Sequence, residues 1–242
     1  MPNNTIFHFK KYSVMQGNSA MKVSTDACVF GAWVAQMMTK CCLRPATILD
    51  IGTGTGVLSL LLAHTQVQSR ITGIDINAAA LSDATLNFSN SPFSKRLNTQ
   101  LSSVFQLPEL LHFDFYICNP PFHQASTPAD NVAKNTAWHD IEMPIIEIAK
   151  LIHKVVLKGK YFAIMYPPRS ADIVIAYLSK QHISPIATLS FSHNALKKPH
   201  CNMLLFGPNI ASAIHQIIYY KSTAQTDSSD FVSLMQPYYQ YL

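Results

Sequence analysis

The chain carries little charge, has no long apolar run and lacks the cysteine spacing of a metal-held module. Asp, Glu, Lys and Arg make up only 13% of its 242 residues. A membrane-spanning helix needs about 18 or more consecutive apolar residues, and no stretch reaches that length. Lys10 and Lys11 are not followed by an apolar segment, so the first twelve positions read neither as a signal peptide nor as an anchor. Five cysteines is an odd number, Cys41 and Cys42 are adjacent, and no Cys-x-x-Cys pair occurs. A disulfide framework and a zinc site are therefore poor readings. The expectation is a reduced, cytoplasmic protein with no membrane association and no metal.

What is present is enough to fold. A hydrophobic content of 48% supports a substantial core, and the length fits one domain. The net charge of +5 permits a polyanionic partner without requiring one.

Helix and strand signals alternate. Ala27, Phe30, Trp33, Val34 and Met37 recur at helical spacing, with Asp26 placed as an N-cap. Residues 47–51 read as a short buried strand that runs through Gly52-Thr53-Gly54-Thr55-Gly56 into a helix at 57–63. A strand at 71–75 ends on an acid, and a helix at 77–90 follows. Weaker strand signals lie at 99–101, stronger ones at 113–118 and 161–166, and helices at 143–157 and 170–180. Residues 186–191 and 203–206 form a closing antiparallel pair, with 214–220 as a possible additional strand and 222–229 as a surface loop. The order implies an α/β fold, a mostly parallel sheet with helices on both faces.

A glycine turn between a strand and a helix lets backbone approach a ligand and aims helix N-terminal amides at it. Asp75, at the end of the next strand, is placed to accept both hydroxyls of a ribose. The dinucleotide fingerprint would put its third glycine where Val57 stands, so that match fails. Asp50-Ile51-Gly52-x-Gly54-x-Gly56 instead resembles the first motif of the class I S-adenosylmethionine-dependent methyltransferases. The resemblance implies a Rossmann-like, seven-stranded sheet with one antiparallel closing strand. It also implies that Asp50 lies near the methionine amino group and that Asp75 binds the ribose.

The strand at 113–118 delivers Asn119-Pro120-Pro121-Phe122 to the same sheet edge. An amine conjugated to a planar ring is a poor nucleophile, because its lone pair is delocalised. The Asn119 side-chain carbonyl and the Pro120 backbone carbonyl can accept its two protons. The prolines fix both oxygens beforehand, and Phe122 offers a stacking face. The tetrapeptide resembles the (Asn/Asp/Ser)-Pro-Pro-(Tyr/Phe/Trp) motif of enzymes that methylate adenine, cytosine or glutamine amides. It fixes the chemistry better than the substrate.

The opening segment narrows that choice. Phe7-His8-Phe9-Lys10-Lys11-Tyr12, then Ala20-Met21-Lys22-Val23-Ser24-Thr25-Asp26 and Gly31-Ala32-Trp33, resemble the tRNA (adenine-N6) methyltransferases that act on a valine tRNA. The likeness extends to the aromatic tail Tyr238-Tyr239-Gln240-Tyr241. It implies S-adenosylmethionine as cofactor, tRNA as partner, and as target the adenosine immediately 3′ of the anticodon. The implied catalytic set is Asn119, Pro120, Pro121 and Phe122. The implied cofactor set is Lys22, Thr25, Asp26, Asp50, Gly52, Gly54, Gly56, Asp75, Ile76, Ser103 and Val104. Lys134, His139, Lys197 and Lys198 are the RNA-side candidates.

Two positions depart from that family. Ser103 stands where an acid is usual, and Trp138-His139 where Arg-His is usual. The expected organisation is a single domain over 1–242. Its N-terminal segment and first helix span 1–45, the core 46–210 and a C-terminal extension 211–242. The alternatives are a protein glutamine methyltransferase, for which the roughly 45 residues before the first strand leave little room for the usual helical domain, and a non-catalytic RNA-binding module.

Overall fold

A computed structural model describes residues 5–19, 21–108, 110–121, 144–208 and 212–242. Its ten strands are β1 (Ile6–His8), β2 (Ser13–Met15), β3 (Thr47–Ile51), β4 (Arg70–Asp75), β5 (Leu97–Leu101), β6 (Phe115–Cys118), β7 (Tyr161–Tyr166), β8 (Ala187–Ser192), β9 (Cys201–Phe206) and β10 (Ile214–Tyr219). The α-helices among the described residues are α1 (Thr25–Lys40), α2 (Val57–Thr65), α3 (Ala78–Ser89), α4 (Ile145–Leu157), α5 (Pro168–Ser179) and α6 (Ser229–Met235).

The main sheet has the order β10-β8-β9-β7-β6-β3-β4-β5. Only β9 runs against its neighbours, pairing antiparallel with both β7 and β8. This is the expected α/β layout with one strand more than the expected seven. The eighth is β10, which pairs in parallel with β8 from Ile214↔Ala187 to Tyr219↔Ser192. Its half-exposed, alternating pattern suits an edge strand and gives a weaker sequence signal than the buried centre.

The central strands are apolar on both faces because both faces are covered. Ile48, Phe115, Ile117 and Met165 point into a core shared with α1 and α2. Leu49, Ile51, Tyr116, Phe162 and Ile164 point into a second core with α4 and α5. Successive strand residues alternate between the two. Tyr116 and Phe162 stack across β6 and β7 at 5.8 Å with an interplanar angle of 2°.

Helix α1 begins at Thr25, two residues before the start that an Asp26 cap implies. Ser24, not Asp26, is its N-cap, accepting a bond from the Ala27 amide at 3.2 Å. Serine's short side chain reaches back to the free amides of the first turn, which leaves Asp26 inside that turn for other contacts.

The β1–β2 hairpin, which has no counterpart in the sequence reading, is fixed from two sides. Asn87 on α3 exchanges bonds with the Met15 backbone at 2.6 and 2.7 Å, and its amide also reaches the Thr55 carbonyl at 2.9 Å. The buried Asp83 accepts from the amides of Asn18 and Ser19 and from both of their side chains, at 2.8–3.0 Å. From the other side, Phe9 bridges to Tyr239, and the Lys10 amide donates to the Tyr238 carbonyl at 2.8 Å. No helix among the described residues is long and apolar enough to cross a membrane.

Candidate active site

The strand order reverses at β3, whose neighbours are β4 on one side and β6 on the other. Ligands of open α/β sheets bind outside the strand carboxyl ends at such a point. The registers end together: Ile51 pairs with Ile74 on β4 and with Cys118 on β6. The next residues, Gly52, Asp75 and Asn119, therefore leave three adjacent strands at one level.

The glycine turn takes backbone angles that side chains rarely adopt, with φ of 69° at Gly52, 54° at Gly54 and 80° at Gly56. A Cβ at Gly56 would sit 2.4 Å from the Phe88 ring, whereas one at Gly54 would meet nothing within 4 Å. Gly56 thus serves packing, and Gly54 borders open space. The Gly54 amide donates to Asp75 Oδ2 at 2.9 Å and the Asn77 amide to Asp75 Oδ1 at 2.9 Å. Each carboxylate oxygen keeps a lone pair for a further donor. Ile76 follows, 59% exposed at the same edge.

Asp50 is fully buried at the end of β3. Its Oδ2 accepts from Thr53 Oγ1 (2.7 Å), Ser59 Oγ (2.7 Å) and the Ser59 amide (3.2 Å). Its Oδ1 has no partner among the described residues. Burial pushes the carboxyl up to about 6 despite those bonds, and nearby Asp75 adds to the rise. A buried half-satisfied carboxylate fits a cationic donor arriving from the crevice. Thr53 and Ser59 are site residues the sequence reading missed. The available signal was a serine at 59 inside an otherwise apolar helix.

Across the crevice, Asn119 Oδ1 is likewise buried and without a partner among the described residues. An unmet buried acceptor costs about 1–3 kcal/mol, so its retention marks a site waiting for a donor. Pro120 is buried behind it and Pro121 is exposed. Burial and Asp50 both push the Cys118 thiol up, so it stays neutral. The set comprises an unpaired carboxylate oxygen, an open glycine turn, a ribose-height acid and an unpaired amide oxygen. It suits an adenosyl amino acid on one side and a planar amine on the other.

Comparison with known proteins agrees with this geometry. Residues 23–139 match the methyltransferase small domain. A tRNA1(Val) (adenine(37)-N6)-methyltransferase of Vibrio parahaemolyticus is 31% identical over 237 residues, covering 96% of this chain and 95% of the relative. The chain belongs to this methyltransferase family. Another relative of the same name, from Cytophaga hutchinsonii, is 39% identical over 152 residues, or 62% of this chain and 61% of that protein. Among solved structures, a protein of Agrobacterium tumefaciens described as a predicted O-methyltransferase superposes with a TM-score of 0.61 at 13% identity. It covers 87% of this chain and 95% of its own. The hMettl16 catalytic domain, solved in complex with a 3′UTR hairpin, gives 0.59 at 16% identity over 81% and 75% of the two chains. These likenesses show the class I methyltransferase fold.

Two of the remaining family positions fall beside Asp75. Ser102 donates its amide to the Asp75 carbonyl at 3.0 Å, so Ser103 and the buried Val104 follow directly beside the acid. The Ser103 hydroxyl accepts from the Phe105 amide at 3.3 Å and keeps its second lone pair and its proton. Lys22 is exposed and donates to the Gln16 carbonyl. Thr25 opens α1, half-buried. Asp26 Oδ1 lies 3.0 Å from His200 Nε2, and that bond raises His200 above its ordinary range. Asp26, His200 and Cys201 bring one possible metal-ligand atom each within 4.8 Å, but the first two already satisfy each other. Phe122, Lys134 and His139, with Trp138, lie outside the described residues. Lys197 and Lys198 are exposed on the β8–β9 loop.

Proposed function

We propose that this chain transfers the methyl group of S-adenosylmethionine to the exocyclic 6-amino group of adenosine 37 in tRNA1(Val). The observation that carries the reading is the buried Asn119 Oδ1, without a partner among the described residues, at the level of the glycine turn and Asp75. The names of the curated relatives support the substrate. Asp75 would hold the ribose hydroxyls, Asp50 Oδ1 would face the methionine ammonium, and the open side of Gly54 would admit the nucleoside. S-adenosylmethionine, when bound, supplies an electrophilic methyl group on a sulfonium.

Asn119 Oδ1 and the Pro120 carbonyl accept the two protons of the adenine amine. They hold its nitrogen lone pair toward the donor and raise its electron density. An aromatic residue at position 122 suits stacking on a planar base. No strong general base is required, since the amine proton becomes acidic once nitrogen carries the methyl group. A tRNA substrate supports a cytoplasmic location.

The test is transfer of labelled methyl to unmodified tRNA1(Val) by the parent and by Asn119→Ala. The variant is expected to lose activity by about 10²–10³-fold, the scale of a lost transition-state hydrogen bond. Equal transfer by both would refute the assigned centre. Inert tRNA beside a labelled release factor would move the substrate to a glutamine side chain.

A further inference from the structure

We infer that the loop from Ser192 to His200 is a prefolded contact for the RNA phosphate backbone, held to the catalytic edge by Asp26. The inference rests on the proposed tRNA substrate and deepens it. Strand β8 runs parallel to β3, β6 and β7, since both it and β7 oppose β9. The loop that follows β8 therefore emerges on the carboxyl edge, the edge that carries Asn119. Three strand steps separate β6 from β8, at about 4.8 Å each, so the base of the loop lies roughly 10–15 Å along the edge from Asn119. That is the reach of nucleotides flanking the target base.

The loop is ordered by its own bonds. The buried Ser192 hydroxyl lies 2.7 Å from the Lys197 carbonyl and 2.9 Å from that of Asn194. Asn194 Oδ1 accepts from the Leu196 amide at 3.1 Å, the Lys197 amide reaches the Asn194 carbonyl at 3.2 Å, and the His200 amide closes onto Phe191 at 3.0 Å. With the backbone turned inward, Leu196 is left 89% exposed and Lys197 and Lys198 stand in solvent. No acidic residue occurs between 192 and 200. A rigid loop offering two lysines and an apolar tip loses little freedom on binding a polyanion.

His200 anchors the end of this loop on Asp26 in the first turn of α1, at 3.0 Å. That contact gives Asp26 a positioning role toward RNA and occupies one of its carboxylate oxygens.

The test measures tRNA1(Val) binding against salt for the parent and for Lys197→Ala/Lys198→Ala, with S-adenosylmethionine affinity measured alongside. The slope of log affinity against log salt should fall by about 1.4–1.8, the share of two phosphate contacts. Cofactor affinity should stay unchanged. His200→Ala should raise the tRNA KM while leaving cofactor affinity intact, and Asp26→Ala should raise the tRNA KM as well. An unchanged salt slope overturns the loop assignment. A loss of cofactor affinity in Asp26→Ala with tRNA binding intact overturns its positioning role. If the parent neither binds nor methylates any tRNA, the proposed function fails instead, and the two failures are distinguished.

Discussion

The amide of Gly54 donates to Asp75 Oδ2 at 2.9 Å, so the glycine turn and the ribose-height acid form one rigid unit. Removing the carboxylate would free the turn as well as the proposed ribose contact. Asp75→Ala should weaken S-adenosylmethionine at least tenfold, since bonds to a charged acceptor are worth about 1.5–3 kcal/mol each. Calorimetric titration checks this, and an unchanged affinity would detach Asp75 from the cofactor.

The two inner glycines should respond differently. Gly56→Ala drives a methyl into Phe88 at a positive φ and should lower Tm sharply. Gly54→Ala meets no protein atom and should cost less stability. Its methyl instead projects into the open crevice, so cofactor affinity should drop more than Tm does. Thermal melts with and without cofactor separate the two.

Asp50 makes cofactor binding dependent on pH. Its folded value of about 6 lies above the ordinary 3.8, so its contribution to folding is fullest below 3.8 and is lost as pH rises through 6. A bound ammonium favours the ionised form. Cofactor affinity should therefore fall as pH drops below about 6, with proton release on binding in that window. Asp50→Asn should flatten the profile and bind weakly throughout.

Asp83 clasps residues 18 and 19 to α3 through four bonds. Asp83→Ala should cost about 2–3 kcal/mol, part of it recovered by water at the freed amides. A domain of this size then loses about 4–12 °C in Tm. Because Lys22, Val23 and Ser24 lie between this clasp and α1, KM for the cofactor should rise more than kcat falls. A melt unchanged from the parent would show the clasp to be dispensable.

Much of the site was legible because its geometry is local. Gly52 to Gly56 need positive φ, and Asp75 and Asn119 each follow a buried strand, so strand ends alone bring them to one edge. What was not legible comes from distant pairings. Neither Asp83 nor Asn87 carries a local signal beyond its place one turn from the other on α3, and their partners lie 32–72 residues away. The capping of α1 by Ser24 rather than Asp26 turned on a two-residue shift. The eighth strand, read at 214–220, was legible and is found at Ile214–Tyr219, one more than the seven that the family resemblance implies. His200 has no sequence neighbour that announces Asp26, 174 residues earlier.

The contact between the opening hairpin and residues 238–240 has a consequence for synthesis. The Gln240 side chain donates to the Phe9 carbonyl across 231 positions, and Tyr239 packs on Phe7 and Phe9. During translation residues 7–9 must wait for residues 238–240 before their aromatic face is covered. Until those late residues leave the ribosome, Phe7 and Phe9 present apolar surface to whatever is nearby. A nascent chain stalled shortly before position 238 would offer chaperones an exposed ring cluster on an otherwise assembled sheet.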